Sequence, residues 1–125
     1  MRDAAWLDDE LRSLAAAGVR TAMIAPSLVD GRPLSHPSLD RVWSAFEHHG
    51  VSPVFHVADQ PRPFDDAWYV DADDAFVPTL ESVFLWTAAA LATTDLIVNG
   101  VFERHPALRL GIVELSAVWL PMSLM

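Results

Sequence analysis

A chain of 125 residues with 52% hydrophobic content can bury one sizeable core and is too short for two ordinary domains, which excludes general disorder. Its formal net charge is −9 and all eight basic side chains are arginine, a balance that repels phosphate backbones and anionic lipid and so argues against nucleic-acid and membrane-surface partners. The lack of cysteine excludes disulfides, thiolate nucleophiles and zinc-finger sites.

The first ten residues carry Asp3, Asp8, Asp9 and Glu10 where a signal peptide needs an apolar run. The longest apolar stretch, between Glu81 and Asp95, holds 13 uncharged residues, short of the roughly 18–20 that span a bilayer. These features predict a soluble, cytoplasmic chain.

Residues 3–17 read as a helix, with Leu7, Leu11 and Leu14 on one face and Gly18 as its stop. Residues 21–25 form a short apolar run closed by Pro26, the pattern of a parallel strand buried on both faces. Asp30-Gly31 and Pro33 mark a loop. A second helix begins near Pro37, presents Leu39, Val42, Trp43 and Phe46 at i, i+3, i+4 and i+7, and ends at Gly50. Residues 52–57 (SPVFHV) read as a second buried strand. The stretch from 58 to 76, rich in proline and in acids from Asp65 to Asp74, reads as a long polar loop without calcium-loop spacing. Residues 78–104 read as helical, with a break expected around Thr93-Thr94-Asp95. Residues 108–114 (LRLGIVE) predict a third strand, and a helix opens after Val118. Strands alternating with helices indicate a parallel sheet with crossover connections. The expectation is a single incomplete segment over 1–125: an α/β chain, part of a TIM-type (β/α) barrel, with about three parallel strands and flanking helices.

His56 falls at the C-terminal end of its strand, where barrel and α/β enzymes place their ligands. The alternative is a rim histidine whose ring nitrogens are hydrogen-bonded within the protein. Glu114 stands at the corresponding end of the third strand. Neighbouring parallel strands lie about 4.8 Å apart, so the two side chains can converge, and imidazole with carboxylate suits zinc, iron or manganese. Alternation places Val54 with His56 on one side of their strand, and Ile112 with Glu114 on one side of theirs. His48 and His49 close the second helix, where a partly positive ring offsets the dipole. His36 is expected to cap the helix at Pro37, and His105, before a proline, to be structural. No phosphate-binding glycine loop or nucleophile elbow occurs; Ser116 lacks the glycine neighbours an elbow needs.

Three segments resemble the family-2 amidohydrolases, the group that includes aminocarboxymuconate-semialdehyde decarboxylase. They are Pro37 to Asp40 leading into Phe55-His56-Val57; Asn99 to Arg109 (NGVFERHPALR), similar to a family turn between helix and strand; and Glu114 with Trp119-Leu120-Pro121. The resemblance covers about residues 18–57 and 80–121. It implies a barrel whose divalent metal, zinc foremost and manganese or iron as alternatives, is held by an early His-x-His pair, a mid-barrel histidine and a late aspartate. His56 maps onto the mid-barrel ligand, and Glu114 onto a catalytic position near the substrate. The early pair and the late aspartate are expected upstream of Met1 and downstream of Met125. Leu115-Ser116-Ala117-Val118 departs from the family's glycine-rich turn. The implied activity is hydrolysis or decarboxylation of a small carboxylate, amide or ester substrate, with the chain inactive alone. A non-catalytic α/β module that binds a protein or self-associates is the competing function. Three strands taken from a closed barrel expose two edges, which predicts self-association.

Overall fold

The computed structural model describes residues 1–56, 65 and 83–123. The predicted loop over 58–76 and its acidic residues other than Asp65 lie outside the described residues, as do Val57 and residues 78–82 of the predicted helical stretch.

The first helix, α1, spans Ala4–Ala16. The Asp3 carboxylate caps it by accepting from the backbone of Ala5 and Trp6, each at 3.0 Å. Leu7 and Leu11 turn inward. Strand β1 (Thr21–Ile24) follows. Asp30 and Gly31 then form a two-residue turn with positive φ at both positions, closed by reciprocal hydrogen bonds between Val29 and Arg32. A 3-10 turn (Pro37–Leu39) runs into α2 (Asp40–His49). The expected apolar stripe is present: Val42, Trp43 and Phe46 are each 1% exposed, and Leu39 is buried beside them. The Trp43 indole N–H donates to the Leu34 carbonyl at 2.9 Å, which ties α2 to the preceding loop.

Strand β2 spans Ser52–Phe55. Helices α3 (Thr87–Val98) and α4 (Val101–Arg104) come next, then β3 (Gly111–Ile112) and a closing turn, α5 (Leu120–Ser123). The expected helix break at Thr93-Thr94-Asp95 is not there. The chain stays helical through those residues and breaks at Asn99-Gly100, where Gly100 takes φ +68, a left-handed conformation that glycine adopts cheaply. Asp95 opens no second helix; its carboxylate accepts from the Ser35 backbone at 2.9 Å, the Ser35 hydroxyl at 2.7 Å and the Asn99 side-chain amide at 2.9 Å, at the end of its own helix.

The strands form one parallel sheet in the order β1-β2-β3, as the alternation of elements predicts. Thr21 to Ile24 pair with Ser52 to Phe55, and Val54 and Phe55 with Gly111 and Ile112. Among the described residues the sheet is covered on one face only, which corrects the expectation of strands buried on both. Phe55 is fully buried among α1, α2 and α3 residues, with Ala22, Ile24 and Ile112 packed against the same cluster. The opposite face carries Thr21, Met23, Ser52, Val54 and Gly111, and Met23 is 64% exposed. One bare and one covered face is the layering of a wall section of a barrel, in which helices cover the outside and the bare side is the lumen.

Candidate functional site

The site is made by the chain leaving β2 and β3 at the same end. His56 follows Phe55 directly and, by alternation, shares the bare face with Val54. In β3 the register pairs Ile112 with Phe55, not with Val54, so Ile112 lies on the helix-covered face. Regular alternation would therefore carry Glu114 away from His56, and the parity expected from sequence does not bring them together. What does so is a left-handed residue. Val113 still donates to the Phe55 carbonyl at 3.0 Å, and Glu114 then takes φ +58. That conformation costs a non-glycine residue about 1–2 kcal/mol. It turns the carboxylate back over the strand end, where Glu114 Oε2 lies 3.3 Å from His56 Nε2. Ser116 repeats the conformation at φ +58, in the turn where the resembled family carries glycine.

The pair is half open: the His56 side chain is 32% exposed and that of Glu114 69%. His56 Nδ1, by contrast, is buried and has no hydrogen-bond partner among the described residues. When Nε2 donates to Glu114, Nδ1 holds a buried lone pair; when Nε2 gives its lone pair to an ion, Nδ1 holds the proton. The donors suit a divalent metal in kind. Bonds of about 2.0–2.1 Å to a tetrahedral centre put two donors about 3.3–3.4 Å apart, and the observed separation matches. They fall short in number. No group of three or more histidine, aspartate or glutamate side chains that could hold a metal ion occurs among the described residues, and catalytic zinc sites use three protein ligands.

Three of the other four histidines make polar contacts, and the fourth, His48, is exposed with its ring edge-on to that of His49 at 4.8 Å. His36 Nδ1 accepts from the Ser38 backbone at 3.2 Å and caps the 3-10 turn, as expected. His49 Nε2 meets Asp8 Oδ1 at 2.9 Å and joins α2 to α1, a stronger tie than the helix dipole alone predicts. His105 is buried, with Nε2 3.2 Å from Asp40 and Nδ1 3.5 Å from Glu47. Arg104 reaches the same Asp40 carboxylate at 2.9 Å. The Arg104 hydrogen bond, opposed by burial and aided by the weaker His105 contact, holds the Asp40 carboxyl below its ordinary range. The Asn99–Arg109 segment thus docks the β3 lead-in onto α2, a structural role that sets where β3 emerges.

Sequence reading missed an apolar cleft of about 340 Å³ between the loop leaving β1 and helix α3. Leu28, Leu34, Thr87, Leu91 and Asp95 line it, and the buried Thr87 hydroxyl has no hydrogen-bond partner among the described residues. Its walls include neither His56 nor Glu114. Only the loop's position after a strand hinted at it, since β1 ends at the same edge of the sheet as β2.

A parallel sheet with helices on one face, and a histidine and a carboxylate at its C-terminal end, defines a section of an α/β barrel. The particular barrel type comes from solved structures. The chain has the fold of part of an amidohydrolase barrel: an amidohydrolase from Mycobacterium avium subsp. paratuberculosis is similar over 98% of this chain, with a TM-score of 0.70 and 25% identity. A Staphylococcus aureus protein assigned provisionally as an amidohydrolase is similar over 85%, with a TM-score of 0.58 and 19% identity. The chain spans about a third of each, 32% and 35% respectively. No family model and no curated protein matches the sequence. No helix among the described residues is long and apolar enough to cross a membrane.

Proposed function

We propose that this chain supplies part of the site of a metal-dependent hydrolase or decarboxylase of the amidohydrolase type, with the family-2 group as the nearest fit to its motifs. In this reading His56 is a ligand of a divalent metal, zinc foremost, and Glu114 acts beside it on a small carboxylate, amide or ester substrate. The observation that carries it is the 3.3 Å approach of His56 Nε2 to Glu114 Oε2 at the C-terminal end of an amidohydrolase-like sheet. When bound, the ion would polarise a water or a substrate carbonyl. The chain's own residues have three tasks there. His56 holds position through its buried neighbour Phe55; Glu114 presents its largely exposed carboxylate as an acceptor for a proton; and the open sheet face, with Met23 and Val54, provides a floor. With two donors, the chain alone is inactive and binds zinc weakly.

Calorimetric titration with Zn²⁺ tests the reading. Weak uptake that is lost in His56→Ala and reduced in Glu114→Gln is expected, without turnover of ester or amide substrates. An isotherm unchanged by His56→Ala would remove His56 from the metal and end the proposal.

A further inference from the structure

Asn99 is the sole asparagine of the chain, and Gly100 follows it. A glycine in that place leaves its backbone nitrogen free to approach the preceding side-chain amide, because it carries no Cβ to obstruct the attack. The pair sits in the open, at the break between α3 and α4, with Asn99 exposed at φ −92 and ψ 16. Three hydrogen bonds keep the reacting groups apart. The Asn99 side-chain amide donates to the Asp95 carbonyl at 3.1 Å and to Asp95 Oδ1 at 2.9 Å, which folds it back over the last turn of α3. The Gly100 N–H donates the other way, to the Ile97 carbonyl at 3.0 Å. Asp95 is itself fixed from across the fold by Ser35, at 2.9 and 2.7 Å.

We propose that Asn99 is a site of spontaneous modification, deamidating through a cyclic imide, and that the Ser35-anchored Asp95 carboxylate is the brake that holds it in the folded chain. In the first step the Gly100 backbone nitrogen bonds to Asn99 Cγ and gives up its proton to solvent. The bond from Cγ to Nδ2 breaks, and the side-chain nitrogen takes up a proton and leaves as ammonia. Water then opens the five-membered ring. Opening at Cγ leaves aspartate; opening at the main-chain carbonyl leaves isoaspartate, in which the chain runs on through the former side chain. The balance is one water in and one ammonia out, with no oxidant or cofactor.

The product disturbs the contacts that restrained its formation. A carboxylate in place of the Asn99 amide sets two negative oxygens against each other where a donor stood 2.9 Å from Asp95 Oδ1. It also adds a negative charge to a chain already at −9. Asp95 then leaves Asn99 or loosens its hold on Ser35, so the tie from α3 to the loop before α2 weakens. The isoaspartate form also displaces the Asn99 carbonyl, which accepts from Arg104 Nη1 at 2.8 Å. Arg104 holds the β3 lead-in to Asp40, so that docking slackens as well.

Ageing the full chain in mildly alkaline buffer, folded and in urea, tests this by intact mass and peptide mapping. Rearrangement at Asp30-Gly31 leaves the mass unchanged, so a gain of one mass unit in the peptide holding Asn99 reports the reaction. Conversion in urea should run about ten-fold or more faster than in the folded chain, since a hydrogen bond to a charged group no longer has to break first. Asp95→Ala, folded by circular dichroism, should convert at close to the urea rate, and Ser35→Ala, which frees Asp95 without removing it, between the two. Asn99→Asp should melt below the wild type, and Asp95→Asn combined with it, which exchanges amide and carboxylate, should recover the loss. No mass gain at Asn99 in urea would remove the site. Equal rates in folded and unfolded chain, or a folded Asp95→Ala as slow as the wild type, would remove the brake. An Asn99→Asp chain as stable as the wild type would overturn the consequence drawn for Asp95.

Discussion

Truncating Phe55 to alanine separates the two faces of the sheet energetically. Phe55 is the central residue of the covered face, 0% exposed at the end of the middle strand. Phenylalanine-to-alanine changes in such sites cost about 3–5 kcal/mol, because a cavity is added to the lost transfer energy. Unfolding entropy of about 2.1 cal/mol/K per residue over 125 residues gives about 0.26 kcal/mol/K, so Phe55→Ala lowers Tm by about 11–19 °C. Met23 lies one strand away on the other face and is 64% exposed. With most of its surface already in water, Met23→Ala removes under about 1 kcal/mol and shifts Tm by less than about 4 °C. Both melts are followed by circular dichroism in EDTA at low chain concentration. A Met23→Ala shift as large as that of Phe55→Ala would mean that the face described as bare is covered in the folded chain, and the one-sided layering would be wrong.

Three further outcomes follow from single contacts. The Asp40 carboxyl titrates below its ordinary value of 3.8 because Arg104 and then His105 favour its charged form, so its contribution is complete above that value and is lost as pH falls through the lowered one. Tm measured from pH 5 to pH 2 should therefore fall in the wild type below 3.8, with a flatter acid limb in Asp40→Asn. Gly100→Ala should destabilise by about 1 kcal/mol in urea melts, since alanine pays the left-handed cost at φ +68 and gains back part of it in the unfolded chain. Glu114→Gly should do the reverse, gaining up to about 1 kcal/mol after glycine's extra unfolded-state entropy, while zinc uptake in calorimetry declines. A Glu114→Gly variant less stable than wild type would show that the left-handed turn is not strained.

Much of the scaffold was legible. Three parallel strands in chain order, the apolar stripe of α2 and the cap at His36 follow from periodicity and punctuation, because these depend on near neighbours in sequence. The errors lie where distant elements decide. Continuous apolar strands suggest burial on both faces, yet among the described residues helices cover one face and Met23, on the other, is 64% exposed. Thr93-Thr94-Asp95 can cap and so suggests a helix break, whereas Asp95 is drawn off by Ser35 across the fold and Gly100 supplies the break. Strand parity alone does not pair His56 with Glu114: register sets Ile112 opposite Phe55, and the left-handed backbone at Glu114 restores the approach. Nothing in the local sequence marks a glutamate for that conformation. The resemblance to a glycine-bearing turn was the one available hint, and Ser116 with φ +58 occupies such a position.

Under the proposed function His56 is the metal-facing histidine of this chain. Nitrogen NMR of the five ring-labelled histidines during a Zn²⁺ titration reads it directly. The account predicts that the His56 Nε2 resonance moves while those of His36, His48, His49 and His105 stay in place, and that its Nδ1 takes the proton. A titration that moves the His48 or His105 resonances and leaves His56 unchanged would contradict it.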